Sequence, residues 1–128
     1  MITYQFNKEL QVLEVSYEGD IGFDEIIEFG DLVYTDPSLP QDLKILTDAT
    51  IARYGLTHSE LKDLINVLFE HVKAYHSIKA AFIQSQPKET AYSYIVEMEA
   101  KLPNYYHAVF STREAALSWL LYQNTIDR

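Results

Sequence analysis

The sequence predicts a single layered α/β domain, residues 1–128, with a mostly parallel five-stranded sheet and about four helices in the order β-β-α-β-α-β-α-β-α. Three observations predict it. The hydrophobic period switches repeatedly between that of a strand and that of a helix, the apolar runs are short, and turn residues punctuate the switches. Strands alternating with helices imply parallel pairing through crossovers, and helices must cover a sheet whose central strands are apolar on both faces.

Each element follows from local pattern. Ile2, Tyr4 and Phe6 alternate with polar residues and make a first strand, punctuated by Asn7-Lys8-Glu9. Leu10 to Tyr17 is a second strand, ended by Gly19-Asp20, and the first strand is expected as an antiparallel addition at or near an edge. From Phe23 the spacing turns helical, with Phe23, Ile26, Ile27, Gly30, Val33 and Tyr34 on one face until Asp36-Pro37. On this helix Phe29 and Leu32 lie off that face and are expected at the surface. Leu43 to Thr47 is more continuously apolar and predicts a central strand. Leu61, Leu64, Ile65, Leu68, Val72 and Tyr75 recur at helical spacing in the clearest helix of the chain, with Phe69 at the margin of its stripe. Ile78 to Ile83 is a short apolar strand, Ala91, Ile95, Met98 and Leu102 set a third helix, Tyr106 to Phe110 a fifth strand, and Ala116, Trp119, Leu120 and Gln123 a last helix.

Charge and composition exclude several functions. A net charge of −9, with lysines spread evenly and no basic patch, repels phosphate backbones and anionic lipid, so no nucleic-acid partner is expected. No apolar run reaches the ~18 residues of a membrane span, and the N-terminal alternation lacks a signal-peptide pattern. With no cysteine in the chain, these features predict a cytoplasmic protein. His58, His71, His76 and His107 share no metal-ligand spacing, so neither metal nor cofactor is expected. No nucleophile elbow, P-loop or dinucleotide fingerprint occurs, and the chain is expected not to be an enzyme.

In a parallel sheet, ligands gather beyond the carboxyl ends of the strands. That rim is read here as Gly19 and Asp20, then Asp48 and Thr50 with a loop through Arg53 and Tyr54, then Gln84 and Ser85, and finally Ser111 and Thr112. Thr57 and Glu60 form a capping-box pattern at the start of the second long helix, and Ser111 and Glu114 repeat it before the last. Asp48 reads first as a turn residue accepting local amides and, by its place on the rim, as part of a binding surface.

The segments "LQVLEVSYEGDIGFDE", "LKILTDAT", "GLTHSELKDL", "IKAAFIQS" and "HAVFSTREAALSWLL" together resemble the SpoIIAA-like domains, the STAS group that includes the sporulation anti-sigma-factor antagonists and is also described as STAS/SEC14-type. The resemblance runs from Ile2 to Gln123 and carries no catalytic motif. It implies a regulatory module that docks a protein partner or itself, and the ten tyrosines of the chain add the expectation of a homodimer. In sigma-regulating members a serine at the start of the second helix, preceded by aspartate, is phosphorylated. This sequence has Thr57-His58-Ser59 there without the aspartate, which makes Ser59 and Thr57 the phosphoacceptor candidates. Asp48, Thr50, Arg53 and Tyr54 are the candidate partner or ligand rim. The alternative, implied by the SEC14-type resemblance and by the aromatic third helix, is a carrier or sensor of an apolar or lipid-like small ligand. That reading needs a cavity of ~300 Å³ or more beneath Tyr92, Ile95 and Met98.

Overall fold

The computed structural model describes residues 1–99 and 103–122, with the side chains of residues 93, 94 and 97–99 left aside. The expected helical positions Met98, Leu102 and Gln123 therefore lie outside what is described, by side chain for the first and entirely for the others. The elements are β1 (Ile2–Asn7), β2 (Val12–Ile21), α1 (Phe23–Tyr34), β3 (Asp42–Tyr54), α2 (His58–Val72), β4 (Ser77–Ile83), α3 (Pro87–Glu99), β5 (Tyr105–Phe110) and α4 (Arg113–Tyr122). The strands lie in sequence order, β1-β2-β3-β4-β5. The first pair is antiparallel and the remaining three are parallel, so the expected architecture and the edge position of β1 are both present.

Sequential order has a direct consequence for layering. Right-handed crossovers that always step the same way along a sheet deliver their helices to the same face. Residues of α1, α2 and α3 accordingly share one core with Leu13, Val15, Tyr17, Ile45 and Ala80 of the sheet. The opposite face carries α4, whose Ala116, Trp119 and Leu120 pack on Val12, Leu46, Ala81 and Ile83. Ala80 and Ala81 are neighbours in β4 that point to opposite layers, as strand alternation requires.

β3 departs from the sequence reading. It does not end near Thr47 but runs on to Tyr54, pairing with an equally extended β2 as far as Ile21↔Tyr54. The register jumps between Ser16↔Asp48 and Glu18↔Ile51, so two residues of β3 oppose one of β2. Asp48 builds this bulge. Its Oδ1 accepts the Thr50 amide at 3.1 Å and the Thr50 hydroxyl at 2.8 Å, the local bonding that makes Asp-x-Thr read as a turn in sequence. The extra residue switches the strand's parity. Before it, Leu43, Ile45, Thr47 and Ala49 are the buried positions of the three-helix face; after it, Ala52 and Tyr54 are.

Two further expectations need correction. Phe29 is half-buried rather than exposed, packing edge-on against Tyr4 and Tyr17 at ring separations of 5.5 and 6.3 Å, whereas Leu32 is exposed as expected. The cap of α4 is Thr112, whose Oγ1 accepts the Ala115 amide at 3.2 Å, and not Ser111, because the helix begins one residue later than the Ser111-Glu114 spacing implied.

Candidate functional site

The anticipated rim is staggered in height. β4 and β5 end level with Asp48, which registers with Ile83, while β2 and β3 continue beyond them as a two-stranded ribbon carrying Arg53 and Tyr54. Five residues of strand, about 16 Å, separate Asp48 from Arg53. A sheet whose strand order never reverses also has no switch point, the feature that opens a crevice at the strand ends of doubly wound folds.

Its members fall into separate roles. Arg53 is exposed and pairs across the ribbon with Asp20 at 2.9 Å. Tyr54 is 6 % exposed and points into the three-helix core, so its ring is turned away from any docking partner. The Gln84 side chain donates to the Tyr54 hydroxyl at 2.9 Å, and Glu89 accepts the Tyr54 amide at 3.1 Å. Thr50 lends its carbonyl to the Ser85 hydroxyl at 3.0 Å. The capping box of α2 is complete, Thr57 Oγ1 accepting from Glu60 at 3.1 Å and Glu60 accepting from the Thr57 amide at 2.9 Å. Ser59, in the first turn of α2, is exposed.

The structure gathers chemistry elsewhere, between the sheet and its three helices. There a cavity of about 150 Å³ is lined on the helix side by Ile26, Ile27, Leu61, Leu64, Ile65 and Leu68. On the sheet side it is lined by Tyr17 of β2, Thr47 and Tyr54 of β3, and Tyr105 and His107 of β5, with Tyr34 and Tyr92 at its ends. Ile27, Leu64 and Val67 are only half-buried, which puts the way in between α1 and α2. The volume is half of the ~300 Å³ that a lipid-sized ligand demands. An apolar void near 150 Å³ holds a ligand the size of one benzene ring.

The sheet-side phenols and the His107 imidazole of this cavity are uncharged at neutral pH. Burial, and then the nearness of the Tyr54 and Tyr34 phenols, holds the Tyr17 hydroxyl well above the usual tyrosine range. Burial and then Tyr34 and Tyr17 do the same to Tyr105. Tyr34 is raised by burial and by Tyr75, and Tyr54 by burial and the Glu89 carboxylate. Burial pushes His107 down to about 4, so at neutral pH its imidazole is neutral. Its ring stacks on Phe82 at 4.9 Å and its Nδ1 lies 2.8 Å from the Tyr105 hydroxyl. His107 belongs to an edge strand and is half-exposed as a residue, yet its Nε2 is sealed from solvent and has no hydrogen-bond partner among the described residues. His71, at the opposite side of the cavity, stacks on Tyr34 at 5.2 Å and reaches Asp31 at 3.2 Å.

Sequence reasoning passed over His107. The signal was present in the alternation of Tyr105-Tyr106-His107-Ala108, which puts His107 on the same face as the inward Tyr105.

No protein-family profile matches the chain, and no curated protein matches it either. A solved structure does: an uncharacterised protein of the DUF3478 family from Shewanella loihica PV-4, described as having a SpoIIAA-like fold, superposes with a TM-score of 0.61 over 93% of each chain at 15% identity. The fold is SpoIIAA-like. At that identity the likeness speaks of architecture alone, and the SpoIIAA-like arrangement read from the sequence is thereby established. Among the described residues no helix is long and apolar enough to cross a membrane.

Proposed function

We propose that this SpoIIAA-like domain is a non-catalytic binding module whose interior cavity takes a small apolar molecule. The observation that carries the reading is the void of about 150 Å³ in the middle of the three-helix layer, where a protein of this size ordinarily packs solid. Large side chains surround it and yet leave it unfilled. Its half-buried mouth between α1 and α2 supplies an entry path.

The chemistry of the walls supports binding over catalysis. His107, at about 4, is a weak proton acceptor at neutral pH, and the surrounding phenols are held away from ionisation. Such groups orient a ligand without transferring protons to it. The size favours a single-ring or short branched hydrocarbon framework over a lipid chain. Titration of the protein with ethylbenzene, followed through methyl and amide resonances, tests the reading. Saturable shifts at Ile65, Leu68 and Ala80 are expected; a flat titration up to the solubility limit sinks it.

A second reading, docking of a protein partner, is supported by the ribbon of β2 and β3 beyond the bulge. It presents Arg53 beside Ile51, a large apolar side chain that is 63% exposed. In this reading Ile51 and Arg53 make the contact, Ser59 is the position where phosphorylation would control it, and Tyr54 is structural. Replacing both Ile51 and Arg53 by alanine should abolish association with a partner, or with a second copy, and leave ethylbenzene binding intact.

A further inference from the structure

We propose that the outer edge of β1 is a pairing site for a second copy of this chain, which adds its own β1 antiparallel and joins the two five-stranded sheets into one.

β1 ends the sheet on one side and has no strand beyond it. The Glu18 amide reaches the Met1 carbonyl at 2.9 Å, so by alternation Thr3, Gln5 and Asn7 bond to β2, while Ile2, Tyr4 and Phe6 turn their amides and carbonyls outward. Glu25 Oε2 takes the Ile2 amide at 2.9 Å. Nothing among the described residues takes those of Tyr4 and Phe6. The strand also lacks the features that ordinarily close an edge to partners: Ile2–Asn7 holds no charge, no proline and no bulge in its register. A second stretch of open backbone is treated differently. Where β3 outruns β4, Ser85 donates to the Thr50 carbonyl at 3.0 Å, Glu89 accepts the Tyr54 amide at 3.1 Å and Lys88 donates to the Tyr54 carbonyl at 3.0 Å. Side chains dress that backbone, and β1 is left bare.

Charge points to the occupant. Lys8, immediately after β1, makes no ion pair among the described residues. Glu25, at the other end of the strand, spends Oε2 on the Ile2 amide and the Met1 ammonium and leaves Oε1 free. A free cation and a free carboxylate oxygen at opposite ends of one bare edge complement each other when two copies run antiparallel, and the match then occurs twice about a two-fold axis. Glu25 also sets the register. Its carboxylate already holds the Ile2 amide, so the outward residues that remain pair Tyr4 of each copy with Phe6 of the other, with Gln5 on the axis. This register carries Lys8 of each copy opposite Ile2 of the other, beside its Glu25. It also makes two cross-strand aromatic pairs.

The same approach covers apolar surface that a single copy leaves in water. Tyr4 and Leu32 are both exposed, and helical spacing puts Leu32 on the flank of α1 whose Glu25 and Phe29 reach β1. Antiparallel pairing within one continuous sheet sets the two α1 helices on the same side, with those flanks facing across the joined strands.

Sedimentation equilibrium of the full chain tests the proposal. From micromolar to roughly millimolar concentration the mass should climb from 14.8 kDa toward twice that value. Lys8→Glu should weaken association about tenfold or more, and combining it with Glu25→Lys should recover most of the loss, because the exchanged charges meet again across the axis. The ribbon variant, Ile51→Ala with Arg53→Ala, should change nothing. A monomer at every concentration, a dimer indifferent to Lys8→Glu, a swap no better than Lys8→Glu alone, or a dimer abolished by the ribbon variant overturns the inference. Amide exchange on the unaltered protein gives a reading free of any variant. Exchange at Tyr4 and Phe6 should slow as the concentration rises, while Thr3 and Gln5, already bonded to β2, stay equally slow throughout. Rates at Tyr4 and Phe6 that ignore concentration overturn the inference.

Discussion

The two faces of one sheet are packed in opposite ways. On the α4 face, small residues such as Ala81 and Ala116, both fully buried, let a single tryptophan and a few aliphatic side chains close against the strands. Opposite them, three helices are held off by Tyr17, Tyr54, Phe82 and Tyr105, whose edge-on contacts, Tyr17 to Tyr54 at 6.2 Å and Tyr17 to Phe82 at 6.2 Å, brace a space they do not fill. Rigid aromatics meeting edge to face fill volume less efficiently than branched aliphatics against alanine. The difference separates the two cores: one closes aliphatic side chains and a tryptophan against alanine, the other encloses a cavity among aromatics.

That contrast can be broken by mutation. The largest effect is expected on the dense face, where Leu120→Ala, at a residue 1% exposed, should reduce the unfolding free energy by about 3–4 kcal/mol in urea melts. A loss under about 1 kcal/mol would mean that this face is no denser than the other. Acid should probe the roomy face. His107 is depressed by burial to about 4 from an ordinary 6.5, so the unfolded chain binds its proton first as the pH falls. Stability held at neutral pH is therefore lost between about pH 6.5 and 4, by up to about 3 kcal/mol, and below the folded value the loss is complete. Wild-type melts at pH 7 and 4.5 should differ by most of that amount, and H107F should flatten the slope in this window.

A sharper comparison uses adjacent residues. Ala81→Val overfills the α4 layer and should destabilise by about 1–3 kcal/mol, whereas Ala80→Val projects into the cavity and should be neutral or stabilising by about 1 kcal/mol. Similar losses at both sites would erase the distinction between the faces. The smallest expected effect lies outside both cores. Thr57→Ala removes the α2 cap and should destabilise by about 1 kcal/mol, measurable as an earlier thermal midpoint, while leaving the pH slope between 6.5 and 4 unchanged.

Much of this architecture was legible in the sequence because alternation and helical spacing are local signals. The order of elements, the edge hairpin, the central β3 and the Thr57 cap all followed from residues close to one another in the chain. The end of β3 did not, because Asp48-Ala49-Thr50 satisfies its own backbone as a turn would, and only the register with β2 reveals that the strand continues past a bulge. Misplacing that boundary also misplaced Tyr54. One inserted residue reverses inside and outside, turning an expected surface contact into a cavity wall. The cavity itself had no sequence signature, since it is a shortfall in volume summed over side chains from β2, β3, β4, β5 and all three helices of that layer.

The unbroken succession of strands also bears on how the chain is assembled. Each parallel strand joins the edge left by its predecessor, and none has to be threaded between two that have already paired. During synthesis the sheet and its three-helix layer can thus accrete in the order in which they leave the ribosome. The other side of the sheet stays bare until α4, the last described element, arrives to seal it. Docking of α4 is then the step at which Leu46 and Ala81 leave water, and the sheet is most exposed to aggregation just before it.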